Sequence, residues 1–405
     1  MTRQWLSSFV CVVALLVVGV APAAEKKYGP GVSDTEIKIG NSVPYSGPAS
    51  AYGAYGIAMS AYFKMINEQG GVNGRKITLI SLDNGYSPPK ALEMTRQLVE
   101  HDEVLAIMGT LGTPTNAAIE KYLHEAHVPD LNIISGASRF NDPVHFPWAV
   151  PTFYSYHSEA KLYAKYILAN KPDAKIAVLY QNDDLGGDYL SGLKDGLGAR
   201  AQKMIVATVS YEVTDPSIDS QVISLKGSGA NVLVEFANAK AGAQAIRKAY
   251  DIGWRPLQIA GATGAGVAAA LRPAGVEKAV GLISIIGKDP SDPQWADDPD
   301  VKAFRAMLSK YSPSSDPNDS LNLLGYSTAS TIAEIIRRCG DELTREHLVE
   351  VTIHLRGLHT PSMLPGVTLE MSPTDYDGVK QFQPARFNGE RYEPLGKMID
   401  LRATD

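Results

Sequence analysis

EIKIGNSVPYSGPASAYG, the sequence of residues 36–53, begins a pattern that recurs along most of the chain. Ile37 and Ile39 alternate with charged residues, as in a β-strand, and Gly40 leads into a loop of small and hydroxyl residues. Apolar residues then recur four positions apart over 57–66, which predicts a helix with one buried face. A strand, a loop and a helix in this order predict a parallel sheet covered by helices.

The same alternation of strands and helices occurs in two successive series. The first series has predicted strands at 77–82, 104–108 and 131–134. One predicted helix of this series begins at Pro88, and another spans 116–126. The second has predicted strands at 176–180, 204–209, 232–236 and 257–260, and helices at 155–168, 189–197, 218–226 and 241–250. The two series predict an α/β protein with two doubly wound, mostly parallel sheets.

Two regions without this alternation complete the organisation. The segment 143–153 has three prolines and no clear period, so we expect it to be a crossover between two lobes. After a polar, proline-rich stretch, helices are predicted at 301–311, 324–339 and 345–353. The chain then ends in short alternating runs separated by turn residues.

The first residues have the features of a secretory signal peptide. Arg3 supplies a positive charge, residues 9–20 form an uncharged apolar run, and Ala21-Pro22-Ala23 provides the small residues that signal peptidase reads. The run is shorter than the roughly 20 residues that span a bilayer, so a membrane anchor is not expected. We predict cleavage near Ala23 and export of the remaining chain.

The composition restricts the partners of the exported chain. The net charge of the 405 residues is −6, and no basic cluster interrupts the sequence, which argues against nucleic acid or anionic lipid as a partner. Of the two cysteines, Cys11 lies in the apolar run, so Cys339 has no partner for an internal disulfide. Stability must therefore come from the hydrophobic core.

Three loops of the first series are rich in glycine and hydroxyl residues. They follow the predicted strands at 41–48, 109–115 and 135–140. Ligands of open α/β sheets bind outside the carboxyl ends of the strands. Glycine lets backbone N–H groups approach an anion, and free N–H groups at helix N-termini favour negative charge. The loops together predict a cradle for a carboxylate, although turn and capping chemistry accounts for each loop taken alone.

Enzyme, nucleotide and metal signatures are weak or absent in the sequence. The chain has neither a G-x-S-x-G elbow nor a P-loop, and the loop 261–266 lacks the G-x-G-x-x-G order of dinucleotide sites. His124 and His127 are three rather than four positions apart, without a third ligand nearby. We therefore expect a non-enzymatic protein with no metal and no cofactor.

Several segments, taken in order, resemble the leucine/isoleucine/valine-binding proteins, which are periplasmic components of ABC importers. The resemblance covers nearly the whole exported chain and is carried by residues 36–53, NEQGGVNGRK at 67–76, SLDNGYSPPK at 81–90, LYQNDDLGGDYLSGLKDGLG at 179–198 and AIRKAYDIGW at 245–254. It implies a periplasmic, monomeric protein that captures a small molecule and delivers it to the permease subunits of an importer.

The resemblance also implies a type I fold of two lobes joined by three crossings, near Pro151, Ile286 and Pro365. The first lobe would comprise residues 24–151 and 287–364, and the second lobe residues 152–286 and 365–405. In this fold the ligand is enclosed when the two lobes close.

The ligand-binding residues of the family match particular positions here. First-lobe loops that grip a carboxylate match Gly112, Thr113, Ser135, Gly136 and Ala137, and a wall of the site matches Tyr45, Ser46 and Tyr52. In the second lobe, the acid and the tyrosine that bind an α-ammonium are replaced by Thr263 and Leu185, and a further aromatic residue by Asn238. Ser138 and Tyr154 complete the predicted set.

These replacements bear on the class of ligand. A buried ammonium without a carboxylate costs several kcal/mol, so the resemblance favours a small carboxylate without an amino group. A proteobacterial branch of the family is thought to bind aromatic or other organic acids. Tyr45, Tyr52, Tyr154 and Phe236 are available to line an apolar pocket.

Other interpretations of the sequence stay open. Glu235 or Asp184 would serve as the partner of an ammonium if the ligand were a branched-chain or other amino acid. A sensory protein that reports its ligand to a receptor is a further alternative, and an enzyme is a more distant one.

Overall fold

A computed structural model describes residues 26–403. The predicted signal peptide, its cleavage site and Cys11 lie outside the described residues. No helix within 26–403 combines the length and the apolar composition that crossing a membrane requires.

The first sheet contains five parallel strands in the order β3-β2-β4-β5-β6. Its strands and helices, with the short β1 that precedes them, are β1 (Lys27–Tyr28), β2 (Glu36–Val43), α1 (Gly53–Glu68), β3 (Lys76–Asp83), α2 (Pro88–Arg96), β4 (Ile107–Met108), α3 (Thr113–Glu125), β5 (Asp130–Ile133) and β6 (Ala149–Pro151). Ile37, Ile39 and Leu131 are fully buried in its core, as expected for a parallel sheet covered by helices.

The second sheet begins with five parallel strands and six helices. They are α4 (Tyr156–Asn170), β7 (Ile176–Gln181), α5 (Asp184–Leu197), α6 (Ala201–Met204), β8 (Ile205–Tyr211), α7 (Asp219–Gly227), β9 (Val232–Phe236), α8 (Ala239–Asp251), β10 (Leu257–Ala260), α9 (Arg272–Ala274) and β11 (Ile283–Ile286). The order β11-β10-β9-β7-β8 places the first strand of this series, β7, inside the sheet.

The remaining elements return to the first sheet and then complete the second. They are α10 (Pro299–Tyr311), α11 (Ser320–Cys339), β12 (Glu342–Leu343), α12 (Arg345–Ile353), β13 (Gln381–Phe387), β14 (Tyr392–Pro394) and β15 (Ile399–Asp400). Leu323, Tyr326 and Ile332 of α11 share a core with Tyr55 and Met59 of α1. Strand β13 is antiparallel to β11, β14 and β15 at the edge of the second sheet, and β1 pairs with β12.

This connectivity confirms the two-lobed fold with three crossings. The chain leaves the first sheet after β6, returns after β11 and passes back to the second sheet at β13. The residue boundaries of the lobes given above stay a prediction.

Some sequence predictions of local structure were wrong in extent. The segment 143–153 is not entirely a connection, because Ala149–Pro151 pairs with β5 as a strand. The strand predicted at 104–108 is reduced to Ile107–Met108, since it follows a π-helical turn at Gln97–His101 and a left-handed Glu103. The helix predicted from Tyr189 begins at Asp184 instead.

The early start of α5 has a clear local cause. The Asp183 carboxylate caps the helix by accepting hydrogen bonds from the N–H groups of Leu185 and Gly186, at 3.0 and 3.4 Å. A Cβ atom on Gly186 would lie 2.0 Å from the carbonyl oxygen of Gln181. The glycine is thus required for close approach between helix and strand, rather than marking a loop.

Candidate functional site

A cavity of about 300 Å³ lies between the two lobes, at the carboxyl ends of their parallel strands. Its lining comes from the loops after the strands of both sheets, from one face of α11 and from the crossing segments near Ile286 and Leu364. Clefts between lobes are the usual place for small-molecule sites in proteins of this architecture. The volume is also in the range of such sites.

Seven of the thirteen residues predicted from the sequence line this cavity. They are Tyr52, Gly112, Thr113, Tyr154, Leu185, Asn238 and Thr263. Ser135, Gly136 and Ala137 are not part of the lining, but the hydroxyl of Ser135 contacts that of Thr113 at 2.7 Å. The structure thus brings together the two first-lobe loops and the three second-lobe positions.

Tyr45, Ser46 and Ser138 are placed outside the lining. The hydroxyl of Tyr45 lies 2.5 Å from that of Ser81, and the hydroxyl of Ser46 donates to a carboxylate oxygen of Asp83 at 2.6 Å. Both contacts stay within the first lobe and fix the loop that leads to α1. The exposed Ser138 instead donates its backbone N–H to Asp188 of the second lobe at 3.2 Å.

One end of the cavity is rich in hydrogen-bond donors. The hydroxyls of Thr113 and Ser135 are 2.7 Å apart, and the hydroxyl of Tyr156 lies beside both. Thr113 is the first residue of α3, a 13-residue helix, so the N–H groups of Thr113 and Thr115 in its first turn have no intrahelical acceptor. Hydroxyls combined with the positive end of a helix dipole suit a carboxylate.

Gly112 and Tyr86 shape this end of the cavity. Gly112 has a φ of 116°, and a Cβ atom there would lie 2.7 Å from the ring of Tyr86. Tyr86 also has a left-handed backbone, with a φ of 59°, held by a 2.8 Å hydrogen bond from its N–H to the side chain of Asn84. The sequence analysis did not single out Tyr86, which this turn delivers to the site.

The second-lobe side chains at the cleft offer little to a cation. Asn238 caps α8 by accepting from the N–H of Ala241 at 3.0 Å and donates its amide to Gln181 at 3.0 Å. Thr263 donates its hydroxyl to the carbonyl oxygen of Ala237 at 2.9 Å. Leu185 is apolar and almost fully buried. The two polar residues among the three replacements, Asn238 and Thr263, are therefore already engaged in holding the second lobe together.

Across residues 26–403, no aspartate or glutamate lines the cavity. Lys288 is the single charged residue in the lining, and its ammonium is neutralised by Asp298 and Asp300 at 3.0 and 2.9 Å. Asp184, considered above as a partner for an ammonium, is instead paired with Arg139 at 2.6 Å.

Glu235, the other acid considered above, is buried within the second lobe away from the cavity. Both of its carboxyl oxygens are without a hydrogen-bond partner among the described residues, and burial raises its pKa to about 8. Its side chain is therefore neutral at pH 7 and does not serve the cavity as a counter-charge.

An aromatic wall lines the cavity, but its members differ from those predicted. Tyr52 and Tyr154 line it as expected, together with Tyr86, Phe153 and Tyr156. Tyr45 does not, and Phe236 is the innermost ring of a stack in which Tyr189 lies between it and Tyr156, with centroid separations of 4.6 and 4.5 Å. Phe236 thus supports the wall from behind.

A buried carboxyl holds the loop that presents Thr263. Glu159 accepts hydrogen bonds from the hydroxyls of Tyr163 and Tyr189, each at 2.5 Å, and from the N–H of Ala262 at 2.8 Å. Burial raises the pKa of Glu159 to about 7, against the opposing effect of these donors. No sequence pattern distinguishes Glu159, because it lies on the inner face of an ordinary amphipathic helix.

The two lobes contact each other on both sides of the cavity. The Tyr52 hydroxyl donates to the carbonyl oxygen of Thr263 at 2.9 Å and accepts from the N–H of Ala239 at 2.9 Å. On the other side, Arg139 bridges Glu120 of the first lobe, at 2.7 Å, and Asp184 of the second. The structure therefore has its cleft closed.

No cluster of histidine, cysteine, aspartate and glutamate suited to a metal ion occurs in the part of the chain that the structure describes. His124 packs edge-on against Phe146, and His127 stacks on Trp148, so the two histidines of the 124–127 segment contact different aromatic rings.

Comparisons with known proteins agree on the family. The model of the family described as periplasmic binding protein matches residues 36–389. The Leu/Ile/Val-binding protein homolog 7 of Brucella suis is 26% identical over 270 residues, which is 62% of this chain and 62% of that protein's length.

Two solved structures have the same fold with different ligands. A branched-chain amino acid ABC transporter protein of Thermus thermophilus with bound valine superposes with a TM-score of 0.81 at 18% identity, covering 92% of this chain and 99% of that one. A solute-binding protein of an ABC transporter from Rhodopseudomonas palustris, in complex with 3,4-dihydroxy benzoic acid, superposes with a TM-score of 0.76 at 19% identity. The superposition covers 90% of this chain and 98% of that one. These similarities confirm the type I fold, and the membership agrees with the expectation of a non-enzymatic protein. The chain belongs to the periplasmic binding protein family.

Proposed function

We propose that this protein is the periplasmic solute-binding component of an ABC importer and that it captures a small carboxylate without an amino group. After export and cleavage near Ala23, the lobes close on the ligand, and the closed form engages the permease subunits. Hinge closure around a ligand is the established motion of periplasmic binding proteins.

The donors at the first-lobe end of the cavity support a carboxylate ligand. Thr113, Ser135 and Tyr156 place three hydroxyls beside the first turn of α3. A hydrogen bond to an ionised acceptor is about twice as strong as a neutral one, so this end stabilises an anion more than an alcohol or an amide.

The observation that carries the proposal is the lack of any carboxylate in the cavity lining, within the residues described. An ammonium enclosed here would lose its hydration and gain no counter-charge, at a cost of several kcal/mol. A carboxylic acid without an amino group avoids this cost. The rings of Tyr86, Phe153 and Tyr154 provide an apolar wall, which favours an aromatic acid among such ligands.

Isothermal titration of the exported chain tests the proposal. Benzoate, phenylacetate and cinnamate are compared with leucine, isoleucine and valine under identical conditions. We expect saturable binding of one or more of the acids, with the amino acids at least tenfold weaker. Submicromolar binding of leucine, with no response to the acids, would overturn the proposal.

An amino acid is the second candidate, because a structure with bound valine shares this fold and the Brucella relatives are named for branched-chain amino acids. In that case the ammonium would be held by carbonyl oxygens and hydroxyls alone. The same titration separates the two candidates.

A further inference from the structure

The cavity continues well beyond the cleft between the strand ends. Six residues of α11 line it, at positions that fall on one face of the helix: Ser320, Leu321, Leu324, Ser327, Thr328 and Thr331. Because a helix rises 1.5 Å per residue, this face spans roughly 16 Å. A site for a compact ligand at Thr113 does not need a wall of this length.

The extension also has apolar side chains beside the hydroxyl residues of α11. Leu324, Ile286 and Met363 line it and are only partly buried, so they present apolar surface to the cavity. Leu364 and Val367, from the segment of the third crossing, also line the cavity. Covering such surface is favourable in proportion to its area, which makes this region suited to a hydrocarbon group.

Two polar groups of the extension are already engaged within the protein. The Ser327 hydroxyl donates to that of Thr360 at 2.9 Å and accepts from that of Ser362 at 2.9 Å. The ammonium of Lys288 is bound by Asp298 and Asp300. A ligand group that lies here therefore needs neither a second charge nor many hydrogen bonds.

The volume also exceeds what a single ring or a branched amino-acid side chain fills. An apolar cavity of about 150 Å³ accommodates benzene, and the cavity here has about 300 Å³. A ring with a chain of several methylenes, or an alkyl chain of similar volume, matches this space.

We propose that the ligand is an elongated monocarboxylate, whose head lies at Thr113 and whose apolar aryl or alkyl tail lies along α11 between Leu324 and Met363. This inference rests on the proposed function and names the ligand class of the same site. It requires the tail, and not only the head, to contribute to affinity.

A homologous series of acids tests this on the unaltered protein. Benzoate, phenylacetate, 3-phenylpropanoate and 5-phenylpentanoate are titrated calorimetrically. We expect the affinity to rise about fourfold per methylene, the equivalent of about 0.8 kcal/mol, until the cavity is filled. Binding of benzoate that equals or exceeds binding of 5-phenylpentanoate would overturn the tail site and leave the proposed function standing. Binding of none of these acids, with leucine bound, would overturn both.

Two variants locate the tail. Leu324→Trp and Met363→Trp place a large ring in the extension from two different segments of the chain, and each is expected to weaken 5-phenylpentanoate at least tenfold while changing benzoate less than twofold. Arg338→Trp, at an exposed position of α11, is the matched control and should change neither. Unchanged binding of the long acid in folded Leu324→Trp and Met363→Trp would contradict the proposal. Should neither variant fold, the length series decides.

Discussion

The hydroxyl of Tyr52, in the first lobe, donates a hydrogen bond to the carbonyl oxygen of Thr263, in the second lobe, at 2.9 Å. The hydroxyl oxygen of Tyr52 also accepts a hydrogen bond from the N–H of Ala239 at 2.9 Å. Burial raises the pKa of Tyr52 to about 12, so the phenol keeps its proton at physiological pH. One side chain thus connects the lobes through two backbone groups that belong to neighbouring loops of the second sheet.

Removing this hydroxyl should weaken ligand binding by favouring the open form. Tyr52→Phe loses a donor and an acceptor that are used only when the lobes are closed, so we expect the affinity to fall about 5- to 30-fold, or 1–2 kcal/mol. Calorimetric titration measures the affinity, and small-angle scattering with saturating ligand measures the closure.

Tyr45→Phe is the matched control, because the Tyr45 hydroxyl contacts Ser81 within the first lobe. Its affinity should stay within about twofold of the original. Equal losses in the two variants would show that Tyr45 acts at the site as the sequence predicted, and that the Tyr52 bridge has no special part in closure.

A second bridge between the lobes is ionic. Asp184 pairs with Arg139 at 2.6 Å, and the two side chains are 52% and 38% exposed. The contribution of this ion pair to the stability of the closed form is therefore small and is screened by salt. Asp184→Asn should weaken binding about two- to fivefold at low ionic strength, and the difference should disappear near 0.5 M salt.

Asp195→Asn provides the comparison for this bridge, since Asp195 pairs with His157 inside the second lobe. Neutralising it removes a similar exposed charge without affecting any contact between lobes. A salt-dependent loss of the same size in Asp195→Asn would attribute the effect to net charge rather than to closure.

The hydroxyl of Thr113 should bind the carboxylate head of the ligand. Thr113→Val keeps the shape of the side chain and removes one charge-assisted hydrogen bond, for an expected loss of 1–3 kcal/mol, or roughly 5- to 150-fold. Thr113→Ser keeps the hydroxyl and should retain most of the affinity. If Thr113→Val binds every acid as tightly as the original protein, the head lies elsewhere in the cavity.

Features of this structure that depend on residues close together in sequence were predicted better than features that depend on contacts distant in sequence. The strands at 232–236 and 257–260 have the predicted bounds, because a run of buried apolar residues between turn signals is a local feature. Gly112 and Thr113 were found at the cavity for a similar reason, since a glycine–hydroxyl loop before a helix is recognisable in the chain itself.

The residues that were missed depend on contacts distant in sequence. Leu324 reaches the cavity because α11 packs on α1, about 270 positions earlier in the chain. The periodicity of α11 predicts that one face of the helix is buried, but it does not show that another face lines a cavity. Tyr86 required a left-handed backbone after a turn. Phe236 was expected to line the pocket, but the ring of Tyr189 lies between Phe236 and the cavity wall. This contact depends on the packing of the second lobe and is not visible in the sequence.

The buried carboxyl of Glu235 makes the stability of the second lobe depend on pH. Its pKa is raised by burial from 4.5 to about 8 in the folded protein, so folding favours the protonated form. The stabilisation is fully present below pH 4.5 and is lost as the pH rises through 8. Between pH 7 and 9 this residue alone should lower the free energy of unfolding by about 1 kcal/mol.

Glu235→Gln should remove that fall, because the amide has the size of the protonated acid and does not ionise. Urea denaturation at pH 7 and pH 9 measures the free energy of unfolding of each form. Glu159, whose pKa is raised by burial to about 7, is present in both proteins and cancels from the comparison. Glu277→Gln, at an exposed position of the same lobe, should unfold like the original at both pH values. If Glu235→Gln loses as much stability between pH 7 and 9 as the original protein does, the buried carboxyl is not the cause of the pH dependence.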